Sequence, residues 1–205
     1  FRTDLQSDIA KTEPDCLLLD ATGDRVLLDG TAGVRDYTSA VARNTMLNNL
    51  RYCLSADQNC LDADGLMIEC VEEAPHPARS NPRNPRWGIG DEHWARLLRH
   101  IHDDAHRIKP DCLIAVSGAT PCLAACTDML PLGSLRDGGP DRWHRRARLA
   151  LRAMPGVLIC AGGWPMTPAR AAEYWFTAPI YAVPATWSAT AFAEGQPLTE
   201  ADYRR

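Results

Sequence analysis

Short apolar segments recur along the chain, each bounded by Pro, Gly or acidic residues. Each segment is apolar nearly throughout, which is the pattern of a strand buried on both faces of a sheet. The predicted strands cover residues 16–19, 65–71, 112–116, 129–132, 157–160 and 180–183. Residues 26–28 could extend the first strand after a turn, and Pro131 weakens the fourth.

Longer stretches with helical spacing separate these strands. Residues 34–53 contain neither Gly nor Pro, and Asp91 can cap a helix whose apolar residues recur at helical spacing up to Pro110. Further helices are predicted over residues 142–154 and 168–176. This alternation predicts an α/β fold with about six parallel strands covered by helices. The sheet is either part of a (β/α)8 TIM-type barrel or an open doubly wound sheet.

The length of the chain favours an incomplete barrel. It has 205 residues, whereas a typical barrel has about 250. It begins at Phe1 rather than Met and ends at Arg205 just after the start of a predicted helix, so both ends look cut. We therefore expect residues 1–205 to form a single catalytic-type barrel domain, the C-terminal portion of a barrel whose first strands are missing.

Composition and charge argue against several functions. The net charge of −4 gives no reason to expect nucleic acid, and no segment approaches the roughly 20 apolar residues of a membrane span. Neither GxGxxG nor GxxxxGK[ST] occurs, which argues against a nucleotide enzyme. His102 and His106 are four residues apart, but no HExxH pattern accompanies them. We therefore expect no metal site and no other cofactor.

The eight cysteines favour a reducing setting. Four of them lie within predicted strands, where cysteine serves as a small buried hydrophobe, and no CxxC pair occurs. Cys53 and Cys60 flank a short polar loop and would be the pair if any disulfide formed. The location of the protein stays open, and reduced thiols favour the cytoplasm.

The segment from Asp64 to Glu69, DGLMIE, resembles the nucleophile strand of a known enzyme family. This family is the α-galactosidase/α-glucosidase clan of glycoside hydrolase barrels, of melibiase-like type. Residues 28–37 resemble its lead into the preceding helix, and AHRIKPDCL at 105–113 resembles its next helix and strand. Three later segments resemble the family in the same order, at residues 127–130, 155–166 and 197–203.

The resemblance implies a retaining hydrolase of α-linked sugars, whose two carboxyl groups stand about 5–5.5 Å apart. Glu69 takes the place of the nucleophilic Asp of the family. Its extra methylene moves the carboxylate by on the order of 1 Å, enough to cost about a hundredfold in rate. Ser134 stands near the place of the acid/base, so Asp128 or Asp137 is the candidate for a displaced acid/base. Met67 stands where the family suggests a Lys.

Tryptophans in strand-end loops supply candidate sugar contacts. Trp87, Trp164 and Trp187 could each stack a ring face on a sugar, although core or lid packing explains them equally well. The expected partner is therefore a carbohydrate, with neither nucleic acid nor membrane. The missing strands would also leave a sheet edge through which copies of the chain could associate.

Three functions remain open from the sequence. The first is a glycoside hydrolase that acts on α-linked sugars through Glu69 and a displaced acid/base. The second is a catalytically inactive barrel remnant that binds carbohydrate or serves a structural role. The third is an open α/β enzyme of another chemistry, in which case the resemblance is accidental. The replaced carboxylate positions favour the second function, and the retained order of strands and helices favours the first.

Overall fold

The computed structural model describes residues 2–5, 11–12, 14–28, 32–69, 81–87, 91–118, 120–132 and 139–160. The chain has an α/β fold with a parallel sheet of four strands among these residues. It divides into two compact units, Phe1–Leu66 with Cys70–Ile114, and Met67–Glu69 with Ala115–Arg205. Two strands of the parallel sheet each contribute residues to both units.

A small antiparallel sheet belongs to the first unit. Its strands are β1 (Arg2–Asp4), β2 (Leu27–Leu28) and β3 (Ala32–Val34), in the order β1-β3-β2. None of these three strands was predicted as a separate element, because each is only two or three residues long. Segments this short show no apolar periodicity that a sequence pattern could reveal.

The predicted parallel strand at residues 16–19 is wrong. Pro14–Cys16 forms a 3-10 turn, and Leu17 and Leu19 make isolated antiparallel bridges to Arg35 and Arg25. The reason is the turn at residues 20–24, where Gly23 has a φ of 88° and the Asp20 N–H bonds to the carbonyl oxygen of Asp24. Such a turn sends the chain straight back, whereas a parallel crossover needs a dozen or more residues.

Two helices of the first unit pack against each other. Helix α1 is Ala40–Leu54 and helix α2 is Asp91–Ile108. Helix α1 begins later than predicted because residues 36–39 form a turn. Its buried residues recur every four positions, and those of α2 follow the apolar face predicted for it, so each helix buries one face. The buried residues are Ala42, Met46, Leu50, Leu54, Trp94, Leu97, Leu98, Ile101 and Ala105.

The parallel sheet consists of β4 (Gly65–Ile68), β5 (Leu113–Val116), β6 (Met129–Pro131) and β7 (Leu158–Cys160), in that order. These four strands fall within four of the predicted apolar segments, so the parallel α/β prediction is confirmed. The predicted strand at 180–183 and the predicted helix at 168–176 lie outside the described residues.

The second unit has one helix among its described residues, α3 (Gly139–Ala153), which connects β6 to β7. The link from β5 to β6 instead contains a short 3-10 turn, Pro121–Cys126, because a proline begins it and only a dozen residues separate the two strands. The core of this unit lies between α3 and the outer face of the strands. It contains Leu130, Leu132, Trp143, Ala147, Ala150, Met154 and Ile159.

The seven described cysteines form no disulfide with one another, and these seven include Cys53 and Cys60. None of the described helices has both the length and the apolar composition required to cross a bilayer.

Gly65 lies against the backbone of β5, which gives a test of the sheet. A Cβ at this position would clash with the carbonyl oxygen of Leu113, and backbone cannot yield as a flexible side chain can. We expect Gly65→Ala to lower the free energy of unfolding by about 3 kcal/mol or more, measured by urea denaturation.

Gly23→Ala is the matched control for this substitution. Gly23 has a positive φ, but a Cβ added there would meet no atom within 4 Å, so this change adds backbone strain without a clash. It should cost about 1–2 kcal/mol. Equal losses for the two variants would contradict the close approach of the two strands at Gly65.

Candidate active site

Two backbone hydrogen bonds fix the register of β4 against β5. The N–H of Leu113 donates to the carbonyl of Asp64 over 3.0 Å, and the N–H of Ser117 donates to the carbonyl of Ile68 over 2.8 Å. Because both partners advance by four residues in the same direction, the two strands are parallel. This register places Glu69 beside Ser117, at the carboxyl ends of the strands.

Glu69 lies on the face of the sheet that points away from α3. Side chains alternate along a strand, so Glu69 shares a face with Met67, which the register places beside Ala115. Ala115 in turn pairs with Met129, and Met129 pairs with Leu158. Met67 and Leu158 are 55% and 43% exposed, and Glu69 is also exposed. This face is therefore accessible in the second unit.

The opposite face of the same strands is covered. Leu130 and Ile159 are next to Met129 and Leu158 in sequence and therefore point the other way, into the core formed with α3. In a barrel, the face away from the helices is the interior, and catalytic groups stand at the carboxyl ends of the strands. Glu69 meets both conditions.

The other described residues at this edge are not acidic. Ser117 follows β5 and is half-buried, while Leu132 and Cys160 are buried and joined by a hydrogen bond from the Leu132 N–H to the Cys160 carbonyl, 2.9 Å long. Among the residues that the structure describes at the carboxyl edge, Glu69 is therefore the only carboxylate.

Asp128 stands at the other edge of the sheet. It directly precedes β6, and its carbonyl accepts the N–H of Leu158 over 2.8 Å. Asp128 is two strands away from Glu69. Along the strand direction, it lies three residues nearer the amino edge of the sheet. At about 4.8 Å per strand and 3.3 Å per residue, their backbones are about 14 Å apart. Alternation also places Asp128 on the covered face, so the structure does not bring these two predicted residues together.

Of the remaining predicted site residues, Asp137, Trp164 and Trp187 lie outside the described residues. Trp87 ends a 3-10 turn, Pro85–Trp87, in the first unit and is half-buried. Its ring stacks on His100 with centroids 5.0 Å apart, and the guanidinium of Arg43 lies 5.2 Å from the centroid of the ring. The Trp87 ring therefore already packs against side chains of its own unit. This favours the interpretation that Trp87 is a packing residue over the interpretation that it stacks on a sugar.

A buried carboxylate holds the segment that carries Trp87. Asp36 is fully buried and accepts the N–H and the hydroxyl of Thr38, at 2.9 and 2.6 Å. Its other oxygen accepts the backbone N–H of Arg83 at 2.9 Å, and the N–H of Asn84 donates to the Thr38 hydroxyl at 3.1 Å. Residues 81–87 are thereby attached to the turn at residues 36–38.

Sequence reasoning did not identify Asp36 as an important residue. The signal available was local: Asp two positions before Thr is typical of a turn in which the side chain accepts backbone N–H groups. That signal cannot reveal Arg83, whose N–H comes from 47 positions further along the chain.

His93 is the buried titratable group next to this attachment. Its ring packs edge-on against Trp94 with centroids 5.7 Å apart, and its Nδ1 is buried without a hydrogen-bond partner. Burial lowers the pKa of His93, and the negative charge of Asp36 opposes that shift. The imidazole is therefore held in its neutral form to a lower pH than in an unfolded chain.

The fold resembles that of solved α-amylases. AmyB, a noncanonic maltogenic α-amylase from Thermotoga neapolitana, matches 97% of this chain and 46% of its own, with a TM-score of 0.59 and 15% identity. An α-amylase from Lactobacillus plantarum matches 92% of this chain and 48% of its own, with a TM-score of 0.58 and 15% identity. This chain spans about half the length of these structures. No family model and no curated protein matches it.

These comparisons show the fold of the chain, which is a partial (β/α)8 barrel of the kind found in glycoside hydrolases. The finer assignment to the α-galactosidase clan is not confirmed, because the similar structures are α-amylases.

The role of Asp36 can be tested by replacing its charge. Asp36→Asn keeps the shape of the side chain but puts an amide group among N–H donors, so it should lower the free energy of unfolding by about 2–3 kcal/mol. We also expect faster trypsin cleavage after Arg83 and Arg86, followed by mass spectrometry. Asp57→Asn is the control, because Asp57 is exposed and accepts a hydroxyl from Ser55 at 2.7 Å. Cleavage rates that match in the two variants would refute the attachment.

The lowered pKa of His93 predicts a loss of stability in acid. Between about pH 6.5 and the lower native pKa, the unfolded chain binds a proton at this ring that the native protein does not bind. The free energy of unfolding should therefore fall as the pH decreases from 6.5 towards the native pKa, by at most about 1.4 kcal/mol per pH unit.

His93→Phe should remove this part of the pH dependence while keeping the aromatic contacts. His100→Phe, on the same helix but exposed, serves as the control and should leave the dependence as in the wild type. Urea denaturation at a series of pH values measures both. An unchanged pH profile in His93→Phe would show that this ring is not the group responsible.

Proposed function

We propose that this chain is part of a glycoside hydrolase-like barrel that acts on α-linked sugars, with Glu69 as the nucleophile. The observation that carries the proposal is the position of Glu69, exposed at the carboxyl end of β4 on the face away from α3. The resemblance of residues 64–69 to a nucleophile strand and the likeness to α-amylases both support it. Because the chain spans about half of those structures, its activity is part of the proposal.

The chemistry requires a second carboxyl group near Glu69. In a retaining reaction one carboxylate attacks the anomeric carbon, while a carboxylic acid about 5–5.5 Å away protonates the leaving oxygen. The same group then deprotonates the water that releases the sugar. Asp137 is the better candidate for this role, because it follows β6 in sequence and the chain leaves β6 at the edge where Glu69 stands.

A second function, sugar binding without catalysis, is favoured by the position of Asp128. The register places this carboxylate at the amino edge and on the covered face, so it is a poor partner for Glu69. In this case, Glu69 would accept hydrogen bonds from sugar hydroxyl groups and would not attack the anomeric carbon. Both functions include binding of a sugar, but only the hydrolase turns the sugar over.

Turnover of p-nitrophenyl α-glucoside and α-galactoside tests the proposal. Glu69→Gln should abolish release of nitrophenol, because a neutral amide cannot form the glycosyl-enzyme. Glu69→Asp should retain activity or increase it, since the shorter side chain restores the reach found in the family. Asp64→Asn is the matched control, because Asp64 is an exposed carboxylate at the other end of the same strand.

The outcomes separate the two functions. Turnover that is lost in Glu69→Gln and kept in Asp64→Asn supports the hydrolase. Turnover that survives unchanged in Glu69→Gln would exclude Glu69 as the nucleophile. No turnover in the wild type, together with sugar binding by calorimetry that weakens in Glu69→Gln, would favour the non-catalytic function.

A further inference from the structure

A cavity of about 290 Å³ lies beside α3 in the second unit, on the face of the sheet that Glu69 does not share. One wall is α3. The other wall consists of the end of β6 and the start of the link that leads from β5 to β6. All of the lining residues belong to the second unit. The volume is at the lower end of the roughly 300–1,000 Å³ of ligand pockets, so the cavity suits a small molecule.

The sequence of α3 explains why this space is not filled by side chains. Four lining residues of the helix follow the i, i+3, i+4, i+7 pattern and form one stripe along it. They are Arg146, Leu149, Ala150 and Ala153. Two of the four are alanines, whose side chains end at Cβ. In a complete barrel a helix follows each strand, but the described link from β5 to β6 contains only the short 3-10 turn Pro121–Cys126. This link therefore leaves room beside α3.

The interior of the cavity is apolar. Leu130, Leu132 and Met154 line it, and all three are buried in the core of the unit. Leu149 is 67% exposed and lies at the mouth. A bound water needs about two to four polar partners, and aliphatic side chains provide none. The cavity therefore favours an apolar group over water.

One cation lies at the edge of this apolar space. Arg146 lines the cavity and is half-buried, and its guanidinium makes no hydrogen bond or ion pair within the part of the chain that the structure describes. Its planar arrangement of N–H donors matches the two oxygens of a carboxylate. Thr120 also lines the cavity, and its hydroxyl makes no capping hydrogen bond to the turn that follows it. An acidic group on the ligand would pair with this arginine.

We propose that the cavity binds a small amphipathic carboxylate, a molecule with an apolar chain and one carboxylate group. The chain packs against Leu130, Leu132 and Met154, and the carboxylate pairs with Arg146. A neutral molecule of the same shape would leave the arginine unpaired. A small anion such as acetate would leave the apolar walls uncovered. The proposal does not depend on glycoside hydrolysis, because the site is on the other face of the sheet from Glu69.

Three ligands test both parts of the proposal on the wild type, by isothermal calorimetry with the full chain. Sodium octanoate has the chain and the charge, 1-octanol has only the chain, and acetate has only the charge. We expect one octanoate to bind per chain. The alcohol should bind at least about tenfold more weakly, because it lacks the charge-assisted pair with Arg146. Acetate should show no measurable binding.

Substitutions on α3 locate the site. Arg146→Gln should weaken octanoate binding at least about tenfold and leave binding of 1-octanol unchanged. Arg148→Gln is the matched control, because Arg148 is an exposed arginine of the same helix that does not line the cavity. It should bind octanoate as the wild type does. Ala153→Leu extends a side chain into the cavity from an exposed position and should weaken binding of both octanoate and 1-octanol.

Several outcomes would overturn the proposal. It fails if the wild type binds no octanoate, or if 1-octanol binds as tightly as octanoate. It also fails if Arg146→Gln or Ala153→Leu binds octanoate as well as the wild type does. Equal weakening in Arg146→Gln and Arg148→Gln would overturn it too, because general attraction of an anion to a basic helix would then explain the binding.

Discussion

The pairing of β4 with β5 is the constraint on which the candidate site depends. Two hydrogen bonds set the register, from Leu113 to Asp64 and from Ser117 to Ile68, and Gly65 permits the close approach of the backbones. A shift of one residue would turn Glu69 to the other face, because side chains alternate along a strand. A carboxylate on the covered face would meet apolar side chains and not a substrate. The function therefore depends on backbone geometry as much as on the carboxylate.

The first unit depends on a different interaction, the buried carboxylate of Asp36. A carboxylate that is removed from water must have its oxygens satisfied, and three donors do so here, two from the neighbouring Thr38 and one from Arg83, 47 positions away. The same contacts fix the position of Trp87, and Trp87 in turn lies against Arg43 and His100. A tryptophan in a polar, proline-rich loop is thus part of the packing of its unit.

The local patterns in the sequence predicted much of the fold correctly. Helix α2, Asp91–Ile108, covers the predicted amphipathic segment, and four apolar segments became the strands β4 to β7. The wrong parallel strand at residues 16–19 has a clear cause. An apolar run such as residues 16–19 indicates that the segment is buried. It does not indicate which strand the segment pairs with, or whether the pairing is parallel or antiparallel. Gly23 and the nearby acidic residues decided both, by turning the chain back on itself.

For the candidate site, the sequence by itself determined the type of residue and its position at a strand end, as in Glu69 after β4. It also showed the four-residue spacing of His102 and His106. The tertiary structure alone decided that Asp128 lies at the opposite edge, because register between strands depends on hydrogen bonds between distant residues. The spacing of residues in the sequence determines which side chains are neighbours along one helix or strand. A functional site needs groups from several helices and strands at defined distances, and those distances depend on the tertiary structure.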